Sequence, residues 1–162
     1  MTTTVEIKIA ELFVGDASNV IITNGVGSCI IVILHDRLSR IGGMAHAILP
    51  RARSTGSPAL TKDDLGRRFV KYADTAVDML VEEIEGQGGV KTRLVAKLVG
   101  GAHMFSLLEG DKFGIGWENT SSARERLEFH GIPIETEVVG GTVGRNVRFD
   151  CATGIVEITT KV

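Results

Sequence analysis

The amino-acid sequence predicts an α/β fold, rich in strands and carrying two main helices. Three observations predict it. Twenty glycines stand against only three prolines in 162 residues, and they cluster where tight turns would separate short apolar runs. Several of those runs alternate with period two or are apolar throughout, the patterns of half-buried and fully buried strands. Two further segments carry apolar residues at three- and four-residue spacing, the period of a helix packed on one face.

The elements follow in order. Val5, Ile7 and Ile9 alternate with Glu6 and Lys8 as a first strand. A turn through Gly15-Asp16-Ala17-Ser18-Asn19 leads to a second strand, Val20 to Thr23, and Asn24-Gly25 is a turn dipeptide. Cys29 to Leu34 is apolar on both faces and rich in β-branched residues, which marks a central buried strand. His35-Asp36-Arg37 opens a polar turn into Ile41 to Leu49, another strand with His46 near its end. Pro50 to Thr61 is polar, with one glycine and two prolines, and reads as a mobile loop. Starting four residues after His46, it is either a lid over a site or a plain surface connection.

From about Lys62 to Glu85 the period changes. Phe69, Ala73, Ala76, Leu80 and Ile84 form one apolar face, with Thr61 as cap, Asp63 and Asp64 in the first turn, and Gly86-Gln87-Gly88-Gly89 as the stop. Leu94 to Val99 returns to strand. A shorter helix is expected from Asn119 or Thr120 to His130, with Ala123, Leu127 and Phe129 or His130 partly inward and Gly131-Ile132-Pro133 ending it. Ile134, Thr136 and Val138 alternate, and Arg145 to Phe149 with Ile155 to Thr159 form a terminal hairpin. No repeat and no linker interrupts the chain, so residues 1–162 are expected to form a single domain.

Composition narrows the function classes. Hydrophobic residues make up 43% and charged residues 23% of the chain, the balance of a soluble globular protein. A formal net charge of −2, with basic residues scattered in three short groups, offers no footprint for nucleic acid. The N-terminus lacks the basic-then-apolar pattern of a signal peptide, and no apolar run approaches the roughly 20 residues that span a bilayer. The expectation is a cytoplasmic protein, not stably inserted in membrane, whose Cys29 and Cys151 are free thiols.

Chemistry concentrates at Cys29. Gly25-Val26-Gly27-Ser28-Cys29 is a glycine-bearing turn that delivers a thiol at the head of a buried strand. A thiol needs a base to become a nucleophile, and backbone N–H groups of a turn such as Gly27-Ser28-Cys29 can converge on a developing oxyanion. The turn alone does not decide between this role and an inert core cysteine. His46, seventeen residues on, supplies the base if the two strands are antiparallel neighbours, because the start of one then lies beside the end of the other. Thr23 offers a hydroxyl to orient the imidazole, or is an ordinary strand threonine. Rate loss is expected when His46 is protonated, within the imidazole range of roughly pH 5 to 8.

These residues form part of a wider pattern. Thr23-x-Gly25-x-Gly27-Ser28-Cys29, Gly43-Met44-Ala45-His46 with Leu49-Pro50, Tyr72 to Val77, Gly100 to Phe105, Ile115-Gly116 with Asn119, Gly140-Gly141 with Gly144-Arg145, and Thr153-Gly154 follow in order along nearly the whole chain. Together they resemble the chemoreceptor glutamine deamidases of the CheD family.

The resemblance implies a layered α/β sandwich of mixed, largely antiparallel sheets. It implies deamidation of glutamines on methyl-accepting chemotaxis receptors, with hydrolysis of receptor glutamyl methyl esters also attributed to the family. By the family pattern Cys29 is the nucleophile, His46 the general base and Thr23 the third catalytic position, and no metal or organic cofactor is needed. Some members bind the phosphatase CheC, a possible partner here. One block departs from the pattern: Trp117-Glu118 precede Asn119 where a basic residue usually stands. Because the block lies away from the Cys29 and His46 motifs, the departure is expected to bear on partner contacts rather than catalysis.

Other residues carry plainer readings. His103 is expected to be structural or substrate-shaping, His35 a turn residue, His130 a helix-end histidine and Cys151 a bystander thiol. Two other functions remain open: a non-catalytic chemotaxis adaptor that binds CheC or receptor, and a cysteine hydrolase of another amide or ester. An adaptor has no need of the Thr23, Cys29 and His46 set.

Overall fold

The computed structural model describes residues 1–52, 62–103 and 114–160. Its strands are β1 (Thr3–Glu6), β2 (Glu11–Gly15), β3 (Asn19–Val26), β4 (Ile30–Asp36), β5 (Ile41–Ala47), β6 (Arg68–Phe69), β7 (Leu94–Gly100), β8 (Ile134–Val139), β9 (Arg145–Asp150) and β10 (Val156–Thr160). Two α-helices, α1 (Ala73–Gly86) and α2 (Ile115–His130), complete it with a short turn of 3-10 helix at Lys91–Arg93.

The strands form two mixed sheets. One has four strands in the order β1-β3-β9-β10, the other six in the order β6-β2-β5-β4-β7-β8. Only β1 with β3 and β7 with β8 pair in parallel; the remaining ladders are antiparallel. The layered, largely antiparallel α/β architecture expected from the sequence is the one observed.

Pleating explains how the layers stack. Along β4, Ile30, Val32 and Leu34 join a core shared with Ala76, Leu80 and Ile84 of α1 and Leu127 of α2. The alternate residues Ile31 and Ile33 join Ile21, Val26, Val147 and Phe149 of the four-stranded sheet in a second core. The six-stranded sheet is therefore the middle layer, covered by helices on one side and by the second sheet on the other. A strand covered on both faces must be apolar throughout, which is why β4 reads as an unbroken hydrophobic run.

Three local expectations change. The first helix starts at Ala73 rather than near Lys62. Upstream, the Asp63 carboxylate accepts the N–H groups of Leu65 and Arg67, closing a turn instead. Arg68–Phe69 then pairs with Glu11–Leu12 at the sheet edge and leaves Phe69 exposed. The strand β2 is itself an element the sequence pattern did not reveal. Asn24-Gly25 does not join two strands but lies inside β3, where the register against β9 shifts between Thr23 and Val26. Gly25 has φ +68°, the left-handed conformation a β-bulge of this kind requires.

His35 is likewise not in a turn. It is buried on β4, with Nε2 2.9 Å from the Cys151 carbonyl and its ring edge-on to Phe149. The second helix begins four residues earlier than expected and ends as expected, with Gly131 left-handed beyond its last residue. Of its end residues, His130 turns inward to Asp78 and Phe129 stays exposed. Thr61 and most of the proposed lid, residues 53–61, lie outside the described residues, as do Met104 and Phe105.

Candidate active site

β4 and β5 are antiparallel neighbours, with Ile31 opposite His46 and Ile30 opposite Ala47. Alternation along β5 sends Met44 and His46 toward the four-stranded sheet while Ala45 and Ala47 face the helices. Cys29 immediately precedes β4, one residue beyond the Ile30–Ala47 pair that ends the ladder, so the nucleophile candidate stands at the end of β4 that lies beside the His46 end of β5. The strand relationship on which the thiol–imidazole pairing depended is present.

Thr23 comes from the other sheet. On β3 it is fully buried, and its Oγ1 lies 2.7 Å from His46 Nδ1 across the layer between the sheets. The Nδ1–H tautomer donates to the threonine oxygen and leaves Nε2 as the basic nitrogen. His46 Nε2 is buried and has no hydrogen-bond partner among the described residues. A base with its second nitrogen fixed and its first unengaged is arranged to take a proton.

Burial sets the electrostatics. It pushes the His46 pKa down to about 4, and no charged neighbour offsets this. Burial also raises the Cys29 thiol, opposed only weakly by its own backbone N–H. At neutral pH the thiol and the imidazole are both neutral. Thr23 orients the ring but brings no negative charge to hold an imidazolium, unlike a carboxylate in that position.

The turn carrying Cys29 is held by its carbonyl groups. Those of Gly27 and Cys29 accept the backbone N–H of Ala102 (2.9 Å) and Gly101 (2.7 Å), and that of Ser28 accepts Asn119 Nδ2 at 3.0 Å. Among the described residues no backbone carbonyl accepts the N–H groups of Gly27, Ser28 or Cys29, and that of Cys29 lies against its own thiol. Gly100 must be glycine, since it has φ +113° and a Cβ there would collide with the Cys29 carbonyl. Arg145, buried beneath these glycines, donates to the carbonyls of Gly100 (3.1 Å) and Gly140 (2.8 Å).

Asn119 corrects one expectation. Its block does not lie away from the site: the fully buried carboxamide reaches both Ser28 and, at 3.2 Å, the Ile48 carbonyl. A polar residue on what would be the apolar face of an amphipathic helix was the available signal. Trp117 is 41% exposed and lines a cavity of about 200 Å³ with Gly101, Thr120, Arg124, Val139 and Gly140. His103 is tied through its N–H to the Gly141 carbonyl at 2.7 Å. Cys151 is buried in the second core, its thiol pushed up to about 12 by burial, and both cysteines are free.

Comparison with known proteins gives a consistent picture. The family described as "CheD chemotactic sensory transduction" matches residues 49–160. A Desulfitobacterium hafniense protein named "Probable chemoreceptor glutamine deamidase CheD" is 40% identical, covering 99% of this chain and 95% of its own. Proteins of the same name from Geobacillus kaustophilus and Pyrococcus abyssi are 41% and 37% identical, over 96% and 98% of this chain and 92% of each of theirs. The crystal structure of the Bacillus licheniformis hypothetical protein YfiH overlaps with a TM-score of 0.47 at 14% identity, over 79% of this chain and 49% of that one, too loosely to argue from.

Proposed function

Because the chain belongs to the CheD family, we propose that it is a protein-glutamine deamidase acting on methyl-accepting chemotaxis receptors, with all of residues 1–162 forming one catalytic domain. The observation that carries this reading is the oriented imidazole: His46 fixed by Thr23 at 2.7 Å, next to the ladder end from which Cys29 leads into β4. A non-catalytic adaptor would have no use for a buried imidazole oriented by a hydroxyl from the other sheet at such a desolvation cost.

The reaction proceeds in two halves. The Cys29 thiol gives its proton to His46 Nε2 as sulfur bonds to the γ-carboxamide carbon, and the carbonyl electrons move to oxygen. The N–H groups of Gly27, Ser28 and Cys29 are suited to hold that oxyanion. Collapse breaks the C–N bond, the nitrogen takes the proton from His46, and ammonia leaves behind a thioester. Water then gives a proton to His46 and adds to the thioester, and collapse returns the thiol and releases glutamate. The sum is glutamine plus water to glutamate plus ammonium, the released acid giving its proton to ammonia through solvent. A glutamyl methyl ester would follow the same course with methanol as leaving group.

No described helix is long and apolar enough to cross a membrane, and a cytoplasmic location fits a substrate on the receptor's cytoplasmic region. CheC is a possible binding partner. The test is to incubate the protein with a receptor cytoplasmic fragment and follow glutamine-to-glutamate conversion by peptide mass spectrometry. Conversion is expected with the wild type and lost in Cys29→Ala and His46→Ala. Conversion that persists in Cys29→Ala overturns the mechanism.

A further inference from the structure

The ladder that joins the nucleophile strand to the base strand stops short of the nucleophile. Its last pair is Ile30 with Ala47, and Cys29 lies one residue beyond. There the two chains part. The N–H groups of Ile48 and Leu49 both turn to the Lys71 carbonyl (2.8 and 3.0 Å), away from β4. Backbone pairing therefore does not fix the distance between Cys29 and the segment leaving His46.

Asn119 bridges this gap. From the fifth position of α2 its Nδ2 donates to the Ser28 carbonyl, just before the nucleophile, and to the Ile48 carbonyl, two residues past the base. The amide orientation is dictated by chemistry. Turned over, its oxygen would face two carbonyl oxygens that offer no proton. Both amide protons are used, each on a different chain segment.

The choice of residue is costly on every other ground. Asparagine is a poor former of helix interiors, and its Oδ1 here is buried without a partner among the described residues. Alanine would suit the helix better, and the neighbouring buried helix positions show what a purely structural polar contact looks like. Thr120 bonds back to the Gly116 carbonyl within α2, and Ser122 bonds only to Pro50.

We infer that Asn119 is a positioning residue, which sets the reach between the Cys29 thiol and His46 Nε2 by tying Ser28 to Ile48 from the far side of the sheet. It touches neither reacting atom. Its influence passes through the two backbone carbonyls, and a displacement near 1 Å at a reacting pair can cost about 10²-fold in rate. The inference rests on the deamidase reading above.

The test compares Asn119→Ala, Asn119→Ser and Ser122→Ala in the full chain. Deamidation of the receptor fragment is expected to fall about 10²-fold in kcat for Asn119→Ala with KM within about threefold of wild type. Asn119→Ser, which keeps one donor, should recover part of that loss and is the variant to read if Asn119→Ala does not fold. Ser122→Ala loosens the same helix without touching Ser28, so it should lower the melting temperature and leave kcat unchanged. An Asn119→Ala protein with wild-type kcat, or a Ser122→Ala protein equally impaired, overturns the inference.

A second readout needs no receptor. Iodoacetamide alkylation of Cys29 should slow by a similar factor in Asn119→Ala and His46→Ala, and equal rates in all three proteins overturn the inference. Slowed alkylation alongside a wild type that converts no receptor glutamine would sustain the positioning role and reject the substrate.

Discussion

Thr23 and His46 belong to different sheets, and the 2.7 Å contact between Oγ1 and Nδ1 joins them through the layer where the sheets meet. Removing the hydroxyl while keeping its shape isolates that contact. Thr23→Val should fold and bind receptor but lose roughly ten- to a hundredfold in kcat, because the imidazole can turn and exchange tautomers. Thr23→Ser restores the oxygen and should restore most of the rate. Initial deamidation rates by mass spectrometry decide the matter, and a Thr23→Val rate equal to wild type would remove the threonine from the mechanism.

The acid limb of the rate profile should lie far from the usual histidine range. Burial lowers the His46 pKa to about 4, so the base stays neutral and active as pH falls from 8 to 5. The rate should be flat there and drop only as pH nears 4. This moves the sequence-based expectation of rate loss between pH 5 and 8. A half-maximal rate near pH 6.5 would mean that His46 is solvated or paired with an anion in the working enzyme. Folding stability is linked with the same sign. Protonation disfavours the fold, so this group's share falls as pH drops from about 6.5 to about 4, by at most about 1.4 kcal/mol per pH unit.

The two cysteines should behave as different reagents. Cys29 is half-buried at the end of an interior strand, whereas Cys151 is fully enclosed with its thiol pushed up to about 12. Limited treatment of the folded protein with iodoacetamide should label Cys29 alone and abolish deamidation in step. Cys151→Ser should keep its activity, and peptide mapping checks both statements.

Asp36 should dominate acid sensitivity outside the site. It is fully buried and opposed by that burial. Two-pronged bonding to Arg93 with N–H groups from Val90, Leu38 and Ser39 outweighs the opposition and holds its carboxyl well below the usual carboxylate range. The depressed carboxylate contributes stability that is fully present above about pH 4 and is lost as pH falls further. Asp36→Ala should cost about 2–4 kcal/mol by urea unfolding at pH 7, since Arg93 and three N–H groups lose their acceptor. A cost under 0.5 kcal/mol would contradict this.

Much of this was legible in the chain. β4 announced itself because both its faces are buried, and Cys29 with His46 could be placed at adjacent strand ends from the short connection between them. What escaped notice depends on contacts distant in sequence. Arg68–Phe69 is a strand only because Glu11–Leu12 offers it an edge, so its residues look helical in isolation. Gly25 reads as a turn locally, and only the register against β9 makes it a bulge. Asn119 stood out only as a polar residue on a helix face; its partners are the carbonyls of Ser28 and Ile48, and carbonyls leave no trace in residue identity.

The separate origins of the base and its orienting hydroxyl have a consequence for the newborn chain. β4 and β5 pair across a short connection, whereas β3 takes its place beside β9, from the far end of the chain. Until the two sheets meet, His46 lacks the Thr23 contact that fixes its ring. On the deamidase reading proposed above, docking of the two sheets is the step that completes the oriented base.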